Sequence, residues 1–221
     1  MSVMQRARPF RTVGDLPKTL AVFPLTGALL LPRGGLPLNV FEPRYLTMVD
    51  DALAGMRAIG MIQPTVHEDT NLRPPLSGVG CLGRITGFSE AEDRRYHITL
   101  TGICRFRVAE ELSVDTPYRQ VVPDYSIFAG DLASSDDTEF PRERIIEALK
   151  AYLSRRDLKA DWQTVMNAPA ETLVNALSML CPFEPAEKQA LLEAPSWDER
   201  VATLVALLEM AGVAPATGTI N

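Results

Sequence analysis

Cys81 and His97 are the residues that come nearest to a nucleophile and its base, since a thiol becomes an effective nucleophile when an imidazole can take its proton. They fall on two β-prone runs, 79–88 and 96–103, that read as a hairpin and could make them neighbours. The plainer reading of each is stronger. Cys81 stands in an apolar run, where free cysteines behave as small buried hydrophobes, and His97 alternates outward beside Thr99. A metal site needs closely spaced ligands, and two histidines with the separated Cys81, Cys104 and Cys181 supply none. The adjacent acids Asp50 and Asp51, like Asp136 and Asp137, point in different directions and read as a solvated helix face and a linker. The sequence therefore predicts no catalytic, metal or cofactor-binding residue.

Chemistry for holding a chain is better represented. Glu42, Arg44 and Tyr45 place a carboxylate, a guanidinium and a phenol within one helical turn. Just before them come the apolar Leu30, Leu31, Pro32 and Leu36. These seven are the candidate polypeptide-binding residues, because misfolded chains are distinguished by exposed apolar surface and a partner must match it. Each also has a structural reading. Glu42 would interact with a helix start, Arg44 would pair with a nearby acid, and Tyr45 would pack inward with its hydroxyl at the rim. Residues 29–31 would be a core strand.

The elements that position these residues lie in one stretch, 20–56. Leu20, Val22 and Phe23 suit a strand covered on both faces and ended by Pro24. Residues 29–31 predict a second short strand, stopped by Pro32, Gly34 and Gly35 before 36–40 resumes extended structure. Pro43 then fits the first position of a helix, with Tyr45, Met48, Val49, Ala52, Leu53 and Met56 as its buried stripe.

Further on, 58–63 reads as a strand closed by Pro64. Residues 65–77, with Arg73, Pro74 and Pro75, read as a long surface loop of the kind that often binds. The 79–88/96–103 hairpin is followed by a bend or bulge at Gly102, a strand over 105–108 and another over 118–125. Six or more short strands and one helix suit a small, curved or partly closed antiparallel barrel. After a turn-rich stretch the chain becomes helical. Pro141, Pro169 and Pro185 each stand at a plausible first helical position with an acid two residues on, Ser196 and Glu199 match a capping box, and Asp161 and Trp162 open a further helix. The expected organisation is a lead-in over 1–18, a β subdomain over 19–130, a linker over 131–140, a helical bundle over 141–212 and a tail over 213–221.

Charge divides along the same line. The 221 residues carry a net charge of −6, with 14 basic and 13 acidic side chains in 1–130 but 8 and 15 in 131–221. Neither half offers the basic surface that phosphate-driven nucleic-acid binding needs. Arg6, Arg8, Arg11 and Lys18 ahead of an apolar run superficially resemble a signal peptide, but Pro24 interrupts the run and no small-residue cleavage site follows. No stretch reaches the ~20 apolar residues of a membrane span. Three widely spaced cysteines suit a reducing compartment, so a soluble cytoplasmic protein is expected.

The run FPLTGALLLPRGGLPLNVFEPRY resembles the opening signature of the amino-terminal domain of Lon ATP-dependent proteases, in which a strand-loop-strand leads into Phe-Glu-x-Arg-Tyr. The similarity extends through 59–64, 79–85, 101–108 and 185–192 and covers about residues 19–211. It implies an α+β fold, with a PUA-like small antiparallel β-barrel followed by a C-terminal helical bundle. It also implies non-catalytic recognition of polypeptide, either degradation substrates or a protease or chaperone partner, and the cleft between barrel and bundle would be a natural place for it. The phosphate-cradling Gly-x4-Gly-Lys-Ser/Thr loop has no counterpart, since no Gly-Lys dipeptide occurs. Lys18, Lys150, Lys159 and Lys188 offer no evident serine-activating lysine. The expectation is therefore a recognition domain standing alone, not an enzyme. RNA binding, by analogy with PUA folds, would require Arg84, Arg94, Arg95, Arg105 and Arg107 to cluster rather than pair with Glu90, Glu92 and Asp93. Small-molecule sensing would require a deep enclosed pocket.

Overall fold

The computed structural model describes residues 10–65, 73–92, 95–133 and 140–210, and the chain divides into two compact units, residues 1–134 and 135–221. Residues 1–9 of the predicted lead-in, the whole tail, and most of the 65–77 loop and of the linker fall outside the described residues; the rest of the lead-in holds a 3-10 turn, Val13–Asp15, and the buried Leu16.

The first unit is a six-stranded sheet with one helix on it: β1 (Leu20–Pro24), β2 (Gly35–Val40), α1 (Pro43–Ala54), β3 (Ala58–Pro64), β4 (Leu76–Glu90), β5 (Tyr96–Glu111) and β6 (Arg119–Asp124). The strand order is β2-β5-β4-β3-β1-β6, and β6 also pairs with β5. The long β5 makes this possible. Along one edge its residues 96–101 pair with β2 and its residues 107–111 with β6, so the sheet curls and closes only in part. Inside the curl lie Leu20, Val22, Leu82, Cys104, Phe106, Val121 and Tyr125.

Three expectations are corrected here. The sheet is mixed rather than antiparallel, because β1 and β3 run parallel, with Val22 opposite Gly60. Parallel neighbours need a crossover, and residues 25–57, with β2 and α1, provide it. The strands predicted at 96–103 and 105–108 are one continuous β5. The irregularity expected at Gly102 survives as a bulge, since Leu82 opposes Cys104 while Gly83 opposes Gly102, leaving Ile103 extra. Residues 29–31 form no strand. They cross beneath β5 with all three leucines buried, making only an isolated bridge between Pro32 and Gly102. Gly102 is glycine for this reason: a Cβ there would stand 2.0 Å from the Leu31 carbonyl oxygen.

Helix α1 begins with Pro43 at its first position, as predicted, but stops at Gly55, so Met56 leaves the buried stripe. At the far side of the sheet a 3-10 segment, Ser126–Leu132, is clamped to β5. The Asp131 carboxylate accepts from the Arg105 backbone N–H, Nε and Nη2, each at 2.9 Å. The Arg105 guanidinium also stacks 4.3 Å from the Phe128 ring centroid.

The second unit contains α2 (Arg142–Arg155), α3 (Trp162–Asn167), α4 (Ala170–Leu180), α5 (Pro185–Glu193) and α6 (Trp197–Met210). Of its three helix-start prolines only Pro185 occupies a first helical position; Pro141 and Pro169 sit one residue earlier, at the caps. Asp161 caps α3 by accepting from the Gln163 and Thr164 backbones, and Ser196 Oγ accepts from the Glu199 N–H. Helix α6 packs against α2, α4 and α5 through Val201, Leu204, Val205 and Leu208. Leu180, expected in the stripe of α4, is 79% exposed, because that helix ends at it and the chain turns away at Cys181.

Candidate functional site

The first turn of α1 opens one side of a cleft in the first unit. Glu42 occupies the cap position, but its carboxylate turns to Arg44, whose Nε and Nη2 donate to Glu42 Oε2 at 2.9 and 2.8 Å. The Arg44 guanidinium lies 4.6 Å from the centroid of the Tyr45 ring, and that ring packs at 4.2 Å on Phe23 of β1. Salt bridge, cation-π contact and ring pair thus hold the three residues in one stack. Burial pushes the Tyr45 phenol up, with Arg44 pulling the other way.

The opposite wall comes from the start of β6 and the loop before it. Arg119 Nε and Nη2 form a fork on the Glu111 carboxylate at 2.8 and 2.6 Å, while Nη1 donates to the Pro74 carbonyl at 2.6 Å. Two parallel charge-assisted bonds fix the plane of a guanidinium as one cannot, and hydrogen bonding to Arg119 holds the Glu111 carboxyl below its ordinary range. Next to it Tyr118 donates to Asp51 Oδ2 at 2.6 Å, and burial together with that bond raises its pKa to about 12. The space between the walls is about 490 Å³, lined by Pro24, Thr26, Pro64, Pro74, Val114, Thr116 and Pro117 together with Arg44, Tyr45, Arg73, Tyr118 and Arg119. The lining thus contains three guanidiniums and no carboxylate, in a chain whose net charge is −6.

The candidate residues separate into two groups. Arg44 and Tyr45 line the cleft, and Glu42 stands behind Arg44. Leu30, Leu31 and Pro32 are buried and present no apolar surface to a partner, so the exposed-loop reading does not hold for them. A Cβ on Gly83 of β4 would touch the Leu30 side chain at 2.8 Å, which shows how tightly this segment fills the space beneath the sheet. Leu36 is half-buried on β2, opposite Leu100. Sequence reasoning missed Tyr118 and Arg119, which reach the cleft through sheet pairing with no local signal. It did mark the loop of Arg73 and Pro74 as a place for binding.

Cys81 and His97 are not neighbours. Cys81 opposes Arg105, whereas His97 opposes Ser89, eight residues farther along β4 and hence roughly 26 Å away at strand spacing. Cys81 is buried, and desolvation pushes its thiol far up. The arginines that RNA binding would need are dispersed. Arg105 is buried on Asp131, Arg84 stacks on Phe10, Arg95 is exposed just before β5 and Arg107 farther along it, and Arg94 lies outside the described residues. Among the described residues no group of His, Cys, Asp and Glu could hold a metal, and no helix is long and apolar enough to cross a membrane.

Comparison with known proteins gives one consistent result. A family model for the substrate-binding domain of ATP-dependent protease La (LON) matches residues 19–210. Lon protease 2 of Myxococcus xanthus is 26% identical over 208 residues, which is 88% of this chain and 24% of that protein. Lon protease of Desulfosudis oleivorans is 30% identical over 109 residues, 48% of this chain and 13% of that protein. The chain thus spans a quarter or less of the length of these relatives. Among solved structures, a Lon N-terminal domain protein from Xanthomonas campestris matches with a TM-score of 0.60 at 23% identity, covering 85% of this chain and 97% of that one. The N-terminal domain of Mycobacterium avium complex Lon protease matches at 0.58 with 17% identity, covering 89% and 99%. The α+β fold is therefore that of Lon N-terminal domains.

Proposed function

The chain belongs to the Lon substrate-binding domain family, and on that footing we propose that it holds unfolded polypeptide non-covalently in the cleft between α1 and the start of β6. The matched region is a recognition domain and not a catalytic one. The bound polypeptide is a degradation substrate or a segment of a protease or chaperone partner, met in the cytoplasm. The observation that supports the site is the composition of the walls: two tyrosines and four prolines give rigid apolar surface at low entropic cost, and the Arg44 and Arg119 guanidiniums are held in place by bonds of their own.

Strand addition is a poorer explanation for binding. β2 ends the strand order, and Pro37 interrupts its middle with a residue that cannot donate. A filled concave site therefore accounts better for affinity than an augmented edge.

The test is fluorescence anisotropy with labelled casein as the unfolded polypeptide and a native globular protein as the control. Wild type is expected to bind casein and not the control, and to leave casein intact with or without ATP. Thr26 is exposed on the cleft wall, so Thr26→Trp should fill the space without touching the core and weaken binding several-fold. Absence of casein binding by wild type refutes the reading; undiminished binding by Thr26→Trp refutes the site.

A further inference from the structure

We propose that the cleft selects polypeptide segments that present a carboxylate, from an Asp or Glu side chain or from a chain terminus, next to apolar or aromatic side chains. This rests on the reading of the cleft as a polypeptide site and adds the chemistry by which it discriminates.

Four of the lining residues are prolines, Pro24, Pro64, Pro74 and Pro117, whose nitrogens carry no hydrogen. The wall's charged donors are the guanidiniums, and a guanidinium fork matches a planar carboxylate in shape as well as charge. Arg44 is the group placed to make the contact. Its side chain is 42% exposed, and Glu42 engages Nε and Nη2 of a group that carries five N–H donors. Glu42 and the Tyr45 ring fix the guanidinium plane beforehand, so an incoming carboxylate meets an oriented fork rather than a mobile side chain. Arg119 is a structural member of the wall, because Glu111 balances its charge and, with Pro74, already engages its Nε, Nη2 and Nη1.

The overall negative charge does not oppose this. At physiological ionic strength the Debye length is about 8 Å, so acids on distant surfaces are screened, and because Glu42 and Glu111 already offset Arg44 and Arg119, selection rests on short hydrogen bonds to Arg44 rather than on a long-range field. The tyrosine and proline walls supply the second requirement, an apolar neighbour for the acid. An amide in place of the carboxylate would lose the charge-assisted bonds, a loss of roughly tenfold in affinity.

Three labelled peptides of one Tyr- and Leu-rich sequence test the proposal. One has a single glutamate and an amidated C-terminus, one has glutamine there with the amide, and one has glutamine with a free terminal acid. Wild type should bind the first, the third or both about tenfold more tightly than the second, and the first and third distinguish side-chain from terminal carboxylate. Arg44→Gln, with an unchanged melting temperature as evidence of folding, should bind all three alike at the weak level. Equal wild-type affinity for the three peptides, or a preference that survives Arg44→Gln, overturns the proposal. If unfolded casein still binds in that case, the polypeptide reading stands and only the carboxylate selection fails. An oligouridylate that binds wild type more tightly than any peptide and displaces it would overturn the proposal in favour of RNA.

Discussion

Replacing Asp131 with alanine should cost about 3–5 kcal/mol of stability, as expected when one partner of a buried ion pair is removed. The carboxylate is 10% exposed and accepts three bonds from Arg105, whose own side chain is 6% exposed. In Asp131→Ala the guanidinium stays over Phe128, buried and without the carboxylate that takes its Nε and Nη2. A second variant separates this cause from simple loss of packing. In Arg105→Met/Asp131→Leu no charge is stranded; the Arg105 backbone N–H still loses its acceptor at about 1–3 kcal/mol. Exchanging a buried ion pair for apolar side chains returns about 1–4 kcal/mol. The double variant should therefore be near wild type. Both tryptophans, Trp162 and Trp197, lie in the second unit, so indole fluorescence does not follow this region. Urea unfolding followed by far-UV circular dichroism, together with amide exchange across residues 96–132, does. An Asp131→Ala cost below about 1 kcal/mol, or a double variant as unstable as the single one, would refute the stranded-charge reasoning.

Gly102→Ala should place its methyl group against the Leu31 backbone, where nothing can rotate away, and destabilise by at least the upper end of the ~1–3 kcal/mol of overpacking; chemical denaturation checks it. Cys81, Cys104 and Cys181 are all buried, and burial raises the Cys104 and Cys181 thiols to about 12 and about 11, so Ellman's reagent should label none of them until denaturant is added. Because Tyr118 is raised from 10.0 to about 12, the folded protein favours the un-ionised phenol, and stability should fall as pH rises from about 10 toward 12; Asp51→Asn should move its ultraviolet titration back toward the ordinary value. At the acid end the sign reverses. Glu111 is held below 4.5, so its contribution is present above that value and lost as pH falls through the folded one, and Glu111→Gln should flatten the acid limb of the urea midpoint.

Local chemistry made much of the fold legible. The Pro43 helix start, the β4–β5 hairpin and the caps at Asp161 and Ser196 are each encoded within a few residues, and the structure contains all of them. What stayed hidden depends on pairing between distant segments. The parallel β1–β3 contact depends on the crossover as a whole, and the course of residues 29–31 is set by space beneath β5. An apolar run of that length fits a strand, a plug or an exposed loop equally well by composition. The cleft was half legible for the same reason. Arg44 and Tyr45 announced themselves by type and spacing, whereas Arg119 joins them only because β6 pairs with β1, opposite Val22.

The crossover from β1 to α1 therefore has two roles at once. Its buried leucines and the Gly102 contact fix where β2 joins the sheet, and β2 fixes where α1 begins. The Phe-Glu-Pro-Arg-Tyr run that ends it is mostly structural. Pro43 starts the helix, Tyr45 packs on Phe23, and Glu42 orients its neighbour. Arg44 is the charged group of the run that lines the cleft. A sequence resemblance concentrated in this run is consequently strong testimony about fold and weaker testimony about ligand, since most of its residues are accounted for by folding. Ligand preference is then decided at the positions that share the cleft with Arg44 but lie outside the Phe-Glu-Pro-Arg-Tyr run: Thr26, Arg73, Val114, Thr116 and Pro117. Family members that agree at Glu42, Arg44 and Tyr45 but differ at these five should share the scaffold and part company in the polypeptides they hold, which exchange of the five between two such members, read by the same three peptides, would reveal.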